Sequence, residues 1–397
     1  MKSNDGLRHI HIVDKKACCG CTACYAVCPQ KAIRMREDTE GFQYPVVDQS
    51  KCVNCGLCIK RCPLERENTA KTANSFYAVI HTQENVQAAS SSGGVFSALA
   101  QNVIGNNGVV YGAAFDSAFA VRHIRTEDDD WKRLRTSKYV QSDMGDVFPQ
   151  VKADLQQGRA VLFTGTPCQV DGLKNYLSDT DTAKLITCDL ICHGVPSPRI
   201  WREYLAKLKK ETKKEIGKIN FRHKSESGWH NSTLHIESAD GAVLADEQQS
   251  QGLFFRLFFS HLIIRPCCHS CHYANLNRVG DITIGDYWGV ERHYPQLDDD
   301  KGISLVMVNT PKGLEAMEEI KKNCTVIPVD KEKCMQPNLE APTQDYGGRD
   351  LFWCTYQSFG LQFAGKRMGL IKKNSWDSIL ILAVRVMDKF KKILANQ

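Results

Sequence analysis

Nine of the 18 cysteines stand in the first 70 residues, in two copies of one pattern set 34 positions apart. Cys18-x2-Cys21-x2-Cys24-x3-Cys28-Pro29 is followed by Cys52-x2-Cys55-x2-Cys58-x3-Cys62-Pro63, with Asp14 and Asp48 at matching places ahead of them. This is the spacing of bacterial ferredoxins that hold two 4Fe-4S clusters. Three thiolates on a tight loop reach three irons of a cubane, and the last cysteine, beside a chain-turning proline, crosses to the other cluster. The spacing therefore predicts cluster one on Cys18, Cys21, Cys24 and Cys62, and cluster two on Cys52, Cys55, Cys58 and Cys28. Zinc also takes four thiolates, but its CxxC pairs are usually separated by a longer spacer. Val53 stands in the second copy where Cys19 stands in the first, so Cys19 reads as a spare thiol.

A second thiol set lies further along. Cys168 follows Thr164-Gly165-Thr166-Pro167, where a helix should start and its dipole would favour a thiolate. Cys192 ends a strand-like run before His193-Gly194, and Arg265-Pro266-Cys267-Cys268 leads to Cys271. A CxxC pair with two distant single cysteines can complete a four-thiolate site, and Cys168, Cys192, Cys268 and Cys271 are the ligands expected for a third cluster. Zinc or a redox-active dithiol are the competing readings. Ser90-Ser91-Ser92-Gly93-Gly94 opens a helix, where bare amides and hydroxyls would cradle an anion or cap the helix. No GxGxxG or GxxxxGK[ST] string occurs, so ordinary dinucleotide and P-loop sites are not expected.

The elements that must position these groups follow from periodicity. Short apolar runs alternate with helical patterns from Phe76 to about Lys210, which predicts an α/β fold with a sheet at least partly parallel. Beyond Glu211 more isolated strands follow, with an aromatic helix at Leu253 to His261, and a second α+β region is expected. The chain thus reads as a ferredoxin domain at 1–68, a polar linker, regions at 76–210 and 211–374, and a basic amphipathic helix at 375–397. Nothing in MKSNDGLRHIHIVDKK resembles a signal peptide and no apolar run would span a bilayer, so a cytoplasmic protein with reduced thiols is expected. The net charge of +6 resides in 366–397 while the rest balances, which argues against a nucleic-acid-binding body. In the tail, Trp376, Ile379, Leu380, Ala383, Met387, Phe390 and Leu394 recur at helical spacing opposite basic residues. Such a helix would pack on the protein or a partner, or touch an anionic membrane peripherally.

Several strings together resemble one family, the deazaflavin-coenzyme (F-420) hydrogenase/dehydrogenase beta subunits, here behind a dicluster ferredoxin. They are Ser91 to Gly94, Ser137 to Ser142, Thr164 to Gln169, Asp189 to Pro198, Phe221-Arg222-x-Lys224 with Gly228-Trp229, and Cys268-x2-Cys271 leading to Gly285-Asp286-Tyr287-Trp288-Gly289. The resemblance covers about residues 76 to 310. It implies an FAD-containing iron–sulfur oxidoreductase, and it leaves the organic substrate open. Carried over, it implies Ser92, Gly93 and Gly94 at the flavin phosphates, and Lys138, Lys224 and Asp286 on the flavin or substrate face. His193 and Lys224 are the candidates for catalysis, His193 as a proton donor, although a structural histidine would look the same. Two activities follow as expectations. Either single electrons cross the clusters to FAD, which exchanges a hydride with a small organic substrate, or the chain relays electrons to a redox partner protein that holds the substrate site.

Overall fold

The structure, a computed structural model, describes residues 8–65, 75–226, 228–373, 375 and 377–385. The expected linker therefore lies largely outside the described residues, as does the tail from 386 onward.

In the ferredoxin region, each cysteine triad closes on a short helix, Ala23–Val27 and Leu57–Lys60, and a hairpin of β1 (Ile33–Glu37) and β2 (Gln43–Val47) lies between them. The main body is one eight-stranded sheet. Its strands are β3 (Ser75–His81), β4 (Val109–Phe115), β5 (Val121–Thr126), β6 (Val161–Gly165), β7 (Leu185–Leu190), β11 (Ile282–Asp286), β12 (Ser304–Val308) and β13 (Cys324–Pro328), in the order β13-β3-β12-β11-β7-β6-β4-β5. The central β11-β7-β6-β4 run is parallel and both flanks are antiparallel. Every residue of β6 is buried, as a continuous apolar run covered on both faces requires. Burying Val161, Leu162 and Phe163 stabilises the fold by about 1.5–3 kcal/mol each.

Strands from both sides of residue 211 share this sheet, so the boundary expected there is a change of local pattern and not a break in the core. The residues between do form their own layer: β8 (Ile216–His223), β9 (Thr233–Ser238) and β10 (Val243–Gln248) make a three-stranded antiparallel sheet. Phe221 on it packs with Trp201, Phe254 and Phe255 from neighbouring helices.

The ferredoxin region is seated on the body by polar contacts, buried at Glu40 and exposed at the rim. Arg349 forks onto the carboxylate of Glu40, both nearly buried, and Ser197 Oγ donates to the Glu40 carbonyl. Arg202 holds Glu37 at 2.7 Å, and Tyr25 donates to Asp146 at 2.8 Å. Backbones also come close: a Cβ on Gly172, in the helix Pro167–Tyr176, would stand 2.8 Å from Cys21 Sγ.

Residues 377–385 are helical, but the face differs from that expected. Ile381 and Val384 turn inward onto Phe363, while Ile379, Leu380 and Ala383 are exposed, because Phe363 offers the apolar surface available on this side.

Candidate metal centre and adjoining cleft

The fold brings the last cysteine of each copy towards the triad of the other. Cys62 lies within electrostatic reach of Cys18, Cys21 and Cys24. Cys28 instead shares a chamber of about 350 Å³ with Cys52, Cys55 and Cys58. Backbone amides already point at these sulfurs, from Ile10 to Cys58 at 3.2 Å and from Ala32 to Cys28 at 3.3 Å. Burial pushes the Cys62 thiol up to about 11 and raises Cys18 and Cys24 as well. Buried thiols of this kind are poor free nucleophiles.

A single zinc ion with Zn–S bonds of about 2.3 Å gathers four sulfurs about 3.8 Å apart. Among the described residues, the one group of three metal-ligating side chains within 4.8 Å of one another is His230, Glu291 and Asp298, without a cysteine. The cysteine sets are spread wider than one zinc ion holds them.

The second thiol set converges as well. Cys168, Cys192, Cys268 and Cys271 line one chamber of about 630 Å³, together with Cys267 and Cys19. Spacing in the sequence makes Cys19 a spare thiol; its sulfur lies beside both Cys168, in this chamber, and Cys21, in the first ferredoxin set. At Cys168 two effects oppose the helix dipole. The hydrogen bond with Cys19 and then burial push that thiol well up. Burial likewise raises Cys192 to about 12 and Cys271 to about 11. Gln169 Oε1 accepts the Thr166 N–H at 2.9 Å and Pro167 occupies the first turn, which fixes where this helix presents Cys168.

Arg265 joins the two thiol sets. It is fully buried, and its guanidinium donates to Cys18 O at 2.8 Å, Gln141 Oε1 at 2.9 Å and Gln43 O at 3.0 Å, with Nη2 3.6 Å from Cys18 Sγ. The Tyr44 ring lies 4.2 Å from it. Among the described residues, no carboxylate lies within 4.0 Å. A buried cation costs several kcal/mol without a counter-charge. Thiolate-bound iron–sulfur clusters, which are anionic, supply that charge, so the donor set and this cation fit such a group.

The chamber opens against a cleft of about 1400 Å³, and Cys192, His193, Gly194 and Thr166 line both. The cleft sits at the carboxyl ends of the parallel strands, among Thr164-Gly165 of β6, Leu190 of β7 and Ile284-Gly285-Asp286 of β11. Ligands of open α/β sheets bind at this edge. Ser92, Gly94, Lys138 and Asp286 line it. Lys138 donates to the carbonyls of Arg133 and Arg135, and burial lowers its ammonium to about 7. Arg135, held over the Trp131 ring, adds a second cation.

Two expected residues sit elsewhere. Gly93 does not line the cleft; its Cβ would stand 2.1 Å from Val79 O, so close strand packing demands glycine there. Lys224 is also outside the lining, its ammonium bonded to the carbonyls of Gln87, Ser92 and Lys301 at 2.9, 2.9 and 2.6 Å, where it pins the serine loop. His193 lies at the junction as expected, with Nε2 3.1 Å from His261 Nε2 and Nδ1 3.1 Å from Asn338. Burial and His261 depress its basicity. Sequence reading missed Arg265, Arg135 and His261. A lone arginine closing the apolar run Leu262-Ile263-Ile264 was the one signal for Arg265.

A two-cluster cysteine repeat beside a second cysteine chamber that adjoins a cleft defines an iron–sulfur electron-transfer protein. Residues 158–332 match the family described as the C terminus of the Coenzyme F420 hydrogenase/dehydrogenase beta subunit, and residues 17–65 match the 4Fe-4S dicluster domain. The two matches fall on the cysteine repeat and on part of the sheet-bearing body. Among solved structures it is similar to a chain of the xenon-derivatised F420-reducing NiFe hydrogenase complex from Methanosarcina barkeri. The TM-score is 0.46 and the identity 16%, over 74% of this chain and 90% of that one. No curated protein matches. No helix among the described residues is long and apolar enough to cross a membrane.

Proposed function

We propose that this is an iron–sulfur flavoprotein oxidoreductase that links a one-electron partner protein to a small organic substrate. The observation that carries the reading is the segment Cys192-His193-Gly194, which lines both the cysteine chamber and the cleft. In this reading Cys18, Cys21, Cys24 and Cys62 hold one 4Fe-4S cluster, and Cys52, Cys55, Cys58 and Cys28 a second. Cys168, Cys192 and Cys271, with Cys268 or Cys267, hold a third. FAD occupies the cleft; bound there, clusters and flavin supply one-electron steps and their conversion to hydride transfer.

The chain's own residues divide the remaining work. Ser92, Gly94, Lys138 and Arg135 receive the cofactor's phosphates, and Lys224 holds the serine loop in place for them. Asp286 is kept in position by Arg222 at 3.3 Å and by Trp229 Nε1 at 3.3 Å. His193 stands where a proton can be held beside the cleft, backed by His261. Cys55 is exposed, so an outside donor meets the outermost cysteine set first.

Iron, acid-labile sulfide and flavin per chain, measured on anaerobically purified protein, test the reading. About twelve irons with FAD are expected. About eight irons without flavin would overturn it in favour of a relay whose substrate site lies on a partner.

A further inference from the structure

The two ferredoxin repeats share one cysteine spacing, yet the cations beside them differ in burial: Arg265 is fully buried, whereas Arg8, which lines the outer chamber, is exposed to screening water. Cys18 is the first cysteine of its copy and Cys52 its counterpart. Cys18 lies beside the buried Arg265, whereas the Cys52 sulfur faces Asn54 at 3.9 Å near the surface. Beside Cys18 the site is dry, with Cys19 and Cys21 buried next to it, and a dry site disfavours added negative charge. Left alone, that environment would place the inner cluster at a lower potential than the outer one, and electrons would stall at the surface end.

Arg265 opposes this. Its charge is permanent, and it has no carboxylate among the described residues to cancel it. It faces both sets, touching Cys18 Sγ on one side and interacting with Cys267 of the inner chamber on the other. Reduction adds one electron to a cluster without a bond being made or broken, and a fixed cation in a dry site stabilises the more negative state. We infer that Arg265 is a positioning residue for electrons: it raises the reduction potential of the inner ferredoxin cluster and of the site beyond it relative to the outer cluster, so that electrons entering at Cys55 are drawn inward. Gln141 completes the arrangement as a neutral acceptor that orients the guanidinium without quenching it.

The inference rests on the iron–sulfur reading above but not on flavin. The test is a potentiometric titration of the full-length protein with dithionite, followed by electron paramagnetic resonance and visible absorbance, with iron content as the control. In Arg265→Gln the inner cluster should become reducible only at a more negative potential, by at least the 59 mV that a tenfold change in a one-electron equilibrium represents. The outer cluster, as internal reference, should hold its midpoint, and Arg265→Lys should recover part of the shift. Gln141→Glu places a carboxylate on the same guanidinium and leaves every cysteine sulfur in place, giving up only the Gln141 Nε2 bond to the Cys19 carbonyl, and should shift the inner midpoint in the same direction. If Arg265→Gln fails to retain iron, Gln141→Glu decides. Unchanged midpoints in an iron-replete variant, or equal shifts of inner and outer clusters, would overturn the inference. Wild-type protein that binds no iron would instead overturn the iron–sulfur reading itself.

Discussion

Lys224 Nζ donates to the Ser92 carbonyl at 2.9 Å, although the two residues are 132 positions apart. The same ammonium bonds Gln87 O and Lys301 O, so one cation gathers three segments at the rim of the cleft. Lys224→Met should lower unfolding free energy by about 1.5–3 kcal/mol in urea melts, the usual worth of hydrogen bonds to a charged group. It should also weaken flavin binding through the displaced serine loop. Unchanged stability would show that the three carbonyls find other donors.

Lys138 gives the cleft a pH dependence whose sign is set by its depressed ammonium, moved from 10.5 to about 7 by burial and the nearby Arg133 charge. Between those values the unfolded chain binds more protons than the folded one, so its contribution makes stability rise with pH across that window. The penalty is fully present below about 7. Lys138→Met should remove that slope in denaturation series on flavin-free protein. In wild type, flavin affinity should fall as pH climbs past 7, because the cation that meets the phosphates is lost, and this fall should vanish in the variant.

Gly172 has no room for a side chain against Cys21. Gly172→Ala should push the helix Pro167–Tyr176 from the first cysteine triad, at about 1–3 kcal/mol for overpacking. Iron should be lost from the inner ferredoxin set while the outer set, remote from this contact, keeps its signal. Iron analysis with electron paramagnetic resonance reads both.

Cys19 and Cys168 touch, but their removal should have different effects. Cys168→Ala should cost about four irons per chain and leave both ferredoxin signals. Cys19→Ala should retain the full iron complement. A loss of four irons in Cys19→Ala would make Cys19 a ligand of the inner chamber.

Local chemistry was legible in the sequence and long-range geometry was not. The crossed ferredoxin sets follow from spacing within a few residues, and the convergence of Cys168, Cys192, Cys268 and Cys271 was readable because each follows a strand-like or turn signal. Strands with clean apolar runs, such as Val109–Phe115 and Leu185–Leu190, were equally plain. β5, reading Val-Arg-His-Ile-Arg-Thr, was missed because it is half polar and sits at a sheet edge. That β3 lies between β12 and β13 depends on pairings more than 200 residues apart, for which no local pattern exists. The family resemblance put Gly93 at the flavin phosphates and Lys224 on the flavin or substrate face. Their actual partners, Val79 O and three distant carbonyls, are visible only once the sheet is closed.

The pairing of Glu40 with Arg349 spans 309 positions. At a synthesis rate of about 5–20 residues per second, the ferredoxin segment leaves the ribosome roughly 15–60 s before its final anchor exists. Until the helix Pro167–Tyr176 and Arg265 follow, its cysteines lack the surfaces that later bury them. Iron–sulfur assembly factors then have a time window set by chain length alone, and moving the helix Arg349–Arg367 earlier in a permuted gene would shorten it.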